Sequence, residues 1–508
     1  MSRPKLPDSQ PRFDGGLNTV SDEAALLPNQ MRQSVNARLT DFGAATKRGG
    51  TRRTSTNALG VSGDVSGGFG WRKDSGATEI LVVYGAGLYT TTYGAFPLTW
   101  TFENQPLSLT VPPSFAQFRD TGGNDVVYIS DGGLLNKWDG TTLTLDIAGT
   151  NPSKVIVVHN ERLWGCGCGS NPDSIFYSSL NNGDTFGNAG SGGGEIIVRT
   201  FGDEVVVGLA SVGTSLLIFH RRGISRLTGF GQDDITVAPE GVTSDVGTIA
   251  ANSIVASDNV AYFISERGLY RCNEAQVAPV GTPEKPDPTL PILRTMTTAQ
   301  LADIRCVLNR GTRELWVYLP GQGVFVYHTL LNAWAGPWTD GYLEPETTSL
   351  FEVVDSNGLP VVLKGDADGW VSLCDAPDIF VDNANADGTG GVRYTMTVQL
   401  HRMYCGDDAE AKALRWGYLT ALTNGSDATA VRWNTGTSSA SYSVPIAPTG
   451  VWGTGVWGTG LWGFATSRNF RIPMSGTGYY VDVTVTDSGD ALPVLSRFQL
   501  ETFALGRR

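Results

Sequence analysis

Apolar and polar positions along this chain fall into short runs of β-branched and aromatic residues, each closed by a Gly, Asp or Asn turn. Pairs of such runs recur at residues 79–92, 125–143, 154–178, 204–229, 252–281, 305–327 and 351–374, about every 45 residues, the spacing of propeller blades. A blade cannot bury both of its faces alone, so the units must stack around an axis. The pattern predicts an all-β fold with a β-propeller of six or seven blades over residues 56–377. Residues 378–391 are polar and Gly-rich and mark a boundary. Beyond it Tyr394, Met396, Val398 and Leu400 alternate with polar residues, as do Val481, Val483 and Val485, and then Phe498 and Leu500. A period of two predicts half-buried strands, hence a C-terminal β-sandwich over residues 378–508.

Residues 1–55 break the pattern and read as an extended N-terminal docking arm. Pro4, Pro7 and Pro11 hold its start extended, and Gly15-Gly16 forces a turn. Ser21-Asp22-Glu23 has the chemistry of a helix start, and Pro28 to Val35 fits a second short helix with Met31 and Val35 on one face. Residues 36–40 then predict a strand, Asp41-Phe42-Gly43 a turn, and residues 44–48 the returning strand. Such an arm is expected to be removable without unfolding the propeller.

Within the repeats, Arg222-Gly223-Ile224, Glu266-Arg267-Gly268 and Asp366-Ala367-Asp368-Gly369 share one shape, a charged turn with Gly leading into a strand, and read as equivalent corners of successive blades. Pro283, Pro286, Pro288 and Pro291 exclude a central strand and mark an insertion, followed by a short helix over residues 298–304. The longest apolar stretch, residues 205–219, is broken by Ser211, Gly213, Thr214 and Ser215, and reads as two strands rather than a membrane span.

Charge sharpens the picture. The 508 residues carry a net charge of −13, which argues against generic nucleic-acid affinity through a basic surface. Residues 1–55 hold nine Lys/Arg against five Asp/Glu, a balance of +4, which leaves −17 for the remainder. A basic arm on an acidic body suggests docking onto an acidic partner. Six scattered cysteines and a polar start without an apolar signal segment suggest reduced thiols and assembly in the cytosol.

Catalytic motifs are missing. No Walker A run, Gly-x-Ser-x-Gly elbow or His-Glu-x-x-His occurs. The four histidines, His159, His220, His328 and His401, each fall in or at the end of an expected strand. Cys166-Gly167-Cys168 lacks the second pair that a zinc site needs. Asn383 to Gly388 imitates a calcium loop, yet its first position is not Asp and its twelfth is Tyr394 rather than a bidentate Glu. Neither a metal nor another cofactor is expected. Ser179-Leu180-Asn181-Asn182-Gly183-Asp184-Thr185-Phe186 resembles the Asp-box of sialidases and related propellers, with Asn for Asp and Phe for Trp. That motif closes a hairpin and implies a propeller rather than hydrolysis, so no catalytic residue is assigned. A five-residue unit places Trp452, Trp457 and Trp462 in Gly-Thr-Gly turns. The rings would serve either as a lid over the sandwich core or as a tip contact with a subunit, a glycan or a host surface.

Arg12-Phe13-Asp14-Gly15-Gly16-Leu17-Asn18-Thr19, then Asp22, Leu26-Leu27-Pro28-Asn29-Gln30, Asn36 and Lys47-Arg48-Gly49-Gly50, resemble the N-terminal signature of tail nozzle and packaged-DNA-stabilising proteins of short-tailed bacteriophages. The resemblance is strong over about the first 50 residues. It implies a virion structural protein, assembled in the host cytoplasm as a homo-hexamer beneath the portal and adaptor proteins and beside the tail fibres. Such a ring would continue the DNA channel, retain packaged double-stranded DNA without specific binding and pass it on ejection. Arg12, Phe13, Gly15, Gly16, Asn36, Lys47 and Arg48 would be its adaptor-docking residues. Two rival readings are a propeller binding host-surface glycan and a sialidase-like glycan hydrolase.

Overall fold

A computed structural model describes residues 5–60, 63–167, 171–186, 192–201, 205–229, 240–257, 259–376, 379–406, 408–422, 429–444, 449–450, 461–462, 468–489 and 493–506. Seven antiparallel modules of four or five strands follow one another: residues 65–106, 114–144, 155–197, 206–243, 255–279, 305–338 and 347–376, the last taking its fourth strand from residues 50–53. Six stand as separate sheets, and the sixth module runs on into a larger sheet. The first strands of the modules touch in cyclic order, and the last returns to the first. The ring is therefore closed, with a blade for each of the seven repeats in the sequence.

Its core explains why the blade strands are so apolar. The second strand of a blade lies between two neighbours and is buried on both faces, as Thr78–Tyr84, Ser215–His220 and Glu314–Leu319 are along their whole lengths. Period two is still at work inside these continuous apolar runs. Ile80 and Val82 pack toward the seventh blade, against Phe351, Val353 and Leu363. Leu81 and Val83 point the other way, toward Val127, Ile129 and Trp138 of the second. Every seam between adjacent blades holds one such cluster.

Closure has two devices. Strand Gly50–Arg53, which precedes the first blade, pairs with Val371–Ala376 and becomes the outermost strand of the seventh. At the same seam the inner strand Val65–Arg72 carries Gly68 and Gly70, where a Cβ would meet the Phe351 ring at 2.4 Å and the Val353 backbone at 2.9 Å. Glycine here permits close approach of two strands.

The C-terminal residues form the expected sandwich, but not alone. One layer continues from blade six: Ala333–Trp338 meets Gln30–Val35, which pairs with Met396–Leu400, then Asp482–Asp487, Thr429–Asn434 and Ser439–Val444. The other layer places Ala37–Leu39, Ala45–Lys47, Val494–Gly506, Ala411–Leu422 and Arg468–Pro473 side by side, with Lys5–Gln10 along Val494–Gly506. Both layers face one core that includes Phe13, Met31, Leu39, Met396, Val485 and Phe498.

The N-terminal segment thus departs from expectation. It is no projecting arm, because its strands complete both the sandwich and the propeller. The helix expected from Pro28 is instead strand Gln30–Val35, whose pairing with Met396–Leu400 lies far away in sequence. The start at Asp22 shrinks to the 3-10 turn Glu23–Ala25, with the Asp22 carboxylate accepting from the Ala24 amide. The hairpin over residues 37–47 forms as read, and the helix after the Pro-rich insertion is Thr298–Ala302, started by a Thr297–Gln300 capping box. The Gly corners at 223, 268 and 369 all join second to third strands of their blades. Among the described residues no helix is long and apolar enough to cross a membrane.

Candidate functional site

The densest chemistry lies where the sandwich meets blades six and seven. Asn36 ends the bridging strand with φ of 52°, a left-handed conformation that Asn tolerates better than most residues. Its amide nitrogen donates to Asp340 at 2.8 Å and to the Thr395 carbonyl at 3.1 Å, while its oxygen accepts from the Thr339 amide and from Arg48 Nε. Arg48 is wholly buried and grips Asp382 through both terminal nitrogens. The guanidinium lies 3.9 Å from the Tyr394 ring centre and 5.1 Å from that of Tyr342, so aromatic faces replace water around the charge. Burial works to strip the proton from Arg48, and the Asp382 carboxylate overrides it, so the cation is held more firmly than in water.

A second pair lies alongside. Arg38, on the hairpin, binds Glu314 at 3.0 Å and also Asp375. Glu314 is fully buried; desolvation pushes its pKa up, while Arg38, Trp316 and Thr312 pull it back. Lys47 is buried too, donating to the Gly489 carbonyl at 2.7 Å beneath the Tyr394 ring. A 560 Å³ cleft bounded by Arg38, Asp41, Lys47, His328 and Asp375 opens beside this hub.

These positions correct the docking assignment. Phe13 is core, Gly15 and Gly16 fit against Asn29 and Trp334 with no room for a Cβ, and Asn36, Lys47 and Arg48 are satisfied inside the chain. Of the seven residues only Arg12 is exposed. The basic segment does dock on an acidic partner, but that partner is the rest of its own chain: Glu314, Asp375 and Asp382. Those acids, with Tyr342 and Tyr394, went unnoticed as a site because each contributes a single residue from a distant element. The inward-facing Lys47-Arg48 pair on a short strand was the one available signal.

Other expected features behave as structure. The Asp-box-like segment closes hairpin Ser174–Ser179 to Asn182–Phe186, with Asn182 accepting from the Asp184 amide and Phe186 buried. Asp184 then reaches the neighbouring blade, accepting from Lys137 at 2.9 Å and from the Tyr128 hydroxyl at 2.7 Å. Burial raises its pKa, but these donors and the Thr121 amide win and hold the carboxylate below its usual range. The four histidines are buried. His159 shares a hydrogen bond with Ser211 across a blade seam, and desolvation lowers its pKa to about 4. Cys272, Cys374 and Cys405 are buried and pushed up to about 12, which leaves them unreactive. Cys168 lies outside the described residues, as do Trp452 and Trp457; Trp462 is described only by a short backbone pairing of Leu461–Trp462 with Thr449–Gly450. Among the described residues no group of three or more His, Cys, Asp and Glu is placed to hold a metal.

The propeller axis holds a cavity of 670 Å³, bounded by Pro113, Val157, Val207, Leu209 and Ile254 with Lys154 at its rim. Its walls are mostly apolar, and among the described residues they carry no convergent acid–base group.

No protein-family model and no curated protein matches the chain. Solved structures similar in fold include three crystal structures from B. thetaiotaomicron. Two are extracellular domains assigned to hybrid two component systems, with 11% identity and a TM-score of 0.41 in one and 15% and 0.40 in the other. The third is assigned to a one component system, with 10% identity and a TM-score of 0.42. They cover 63–64% of this chain, which spans only 39–41% of their length.

Proposed function

We propose that this chain is an architectural protein of a short-tailed phage tail, a nozzle subunit whose copies form a six-fold ring below the portal and adaptor. One observation carries the reading. The segment that resembles the nozzle signature is the keystone of the molecule, giving a strand to blade seven, the bridge to the sandwich and the cation of the buried hub. Its residues serve rigidity rather than chemistry, as a load-carrying part of a particle requires. A chain with a net charge of −13 also lets a duplex slide past, since cationic contacts to phosphate would add affinity and friction. Negative-stain imaging of the purified protein and of particles tests this: a six-fold ring with an axial hole, present in the tail, is the expected result. A chain absent from particles, or a monomer in every preparation, would refute it.

A second reading, a propeller holding host-surface glycan, is favoured by one cleft. In it Tyr93 and Arg52 border a 510 Å³ space with Asp355 and Asn309, and the Arg52 guanidinium lies 5.0 Å from the Phe96 ring centre. An aromatic side chain beside a carboxylate suits a sugar ring. Binding of host lipopolysaccharide that is lost in Tyr93→Ala would favour this reading over the first.

A further inference from the structure

Two features remain unexplained by the fold. Phe42, at the tip of the hairpin Ala37–Leu39 to Ala45–Lys47, is 91% exposed, more than any other large apolar side chain among the described residues. It is nevertheless on a firmly anchored tip, because Asp41 beside it is held by His328 at 3.0 Å and by Arg313 at 3.6 Å. The axial cavity is the reverse, an apolar hole with exposed Lys154 at its rim.

The two lie at opposite ends of the wheel. The cavity is bounded by Ser114, Val155 and Val206, where the inner strands begin. Asp41 is anchored where an inner strand ends, at the turn after Arg305–Asn309 and at the last residue of Gly323–His328. A knob at one end and a hole at the other cannot meet within one chain. Between copies they would make a head-to-tail contact, the heterologous kind that forms a ring when the rotation between copies closes.

We propose that Phe42 of one copy seats in the axial cavity of the next, with Asp41 facing Lys154. The match has two parts, an aromatic ring for mostly apolar walls and, beside the Asp41–Arg313 pair, a carboxylate edge for Lys154, the only charged side chain bounding the hole among the described residues. Removing an exposed Phe from water supplies the affinity, and the charge pair sets the approach. The contact rests on the ring reading above, and the following test separates their failures.

Mass photometry of the full chain from nanomolar to micromolar concentration should show assemblies for the wild type. Phe42→Asp, at a solvent-exposed position, should keep the melting temperature yet raise the concentration for half-assembly on the order of tenfold or more. Lys154→Glu should weaken assembly less and make it less salt-dependent. A photo-crosslinking residue at position 42 should label residues 111–114, 154–157 or 205–210 of another copy. Assemblies of Phe42→Asp equal to wild type, or labels elsewhere, would overturn this contact and leave the ring standing. A wild-type chain that stays monomeric throughout would overturn both.

Discussion

Two kinds of seam hold this molecule together. Between blades the seam is hydrocarbon: Val212, Leu217 and Phe219 of the fourth blade press on Ala261 and Phe263 of the fifth, as equivalent residues do around the ring. Between propeller and sandwich the seam adds buried charge, with Arg48 on Asp382 and Arg38 on Glu314 and Asp375. Hydrocarbon contact is non-directional and adapts to changes of similar volume. A buried bidentate pair accepts one geometry only. The difference teaches that the wheel is held by area, whereas the angle at which the sandwich sits on it is set by charge.

The largest single-residue effect separating the two should come from Arg48→Met. It leaves Asp382 buried without its cation, and the expected loss is about 3–5 kcal/mol. Arg48→Met with Asp382→Leu should recover much of that stability in denaturant titration while loosening the junction, seen as faster hydrogen exchange at Thr339 to Tyr342. If the double variant is no better than the single, the hub is not limited by uncompensated charge. Truncation before residue 51 should be worse still, removing Arg48 and the bridging strand together, so an isolated soluble propeller is not the expected product.

Leu217→Ala in a blade seam should cost about 2–5 kcal/mol through lost burial and the cavity left behind. Unlike the hub change, it should do so equally at low and high salt. Asp184→Asn should cost less, about 1 kcal/mol or below, because that staple between blades two and three is partly open to solvent. A loss that vanishes at high salt would confirm its electrostatic origin; an unchanged loss would assign the effect to the Tyr128 hydrogen bond.

The blades were legible in the sequence because their burial is decided locally. A β-branched run such as Ile80 to Tyr84, bounded by turns, has few other solutions, and the repeat count carried the closed ring. Strands Met396–Leu400 and Asp482–Asp487 were readable for the same reason, through their period of two. The N-terminal segment was not. Gln30–Val35 holds Gln, Arg and Ser among its apolar residues, and its antiparallel partners lie more than 300 residues away. Charge invited the same error. A surplus of cations reads as a surface until their acids are found, and Asp382 belongs to a stretch that looked like a linker. Gly68 and Gly70 of Val65–Arg72 permit the close approach of strands at the closing seam, a feature of composition that the strand pattern alone does not decode.

Acid should distinguish the seams once more, through His159 at the joint of blades three and four. Its ring is neutral in the native state down to about pH 4, because burial disfavours the cation. An unfolded histidine takes up a proton near pH 6.5. Between those values the unfolded chain binds a proton that the native chain refuses, so stability falls as pH drops through this window and the loss levels off below it. His328, lowered for the same reason, adds to the slope. The carboxylate staple at Asp184 is lowered instead, so its contribution is lost only further down, as pH falls below the ordinary carboxylate range. Denaturant midpoints measured between pH 7.5 and 4.5 should therefore decline, and His159→Gln should flatten the decline by about one proton's worth. An identical slope in that variant would mean that the joint between blades three and four admits the proton, and that its seam is less dry than the packing around Trp164 and Leu209 implies.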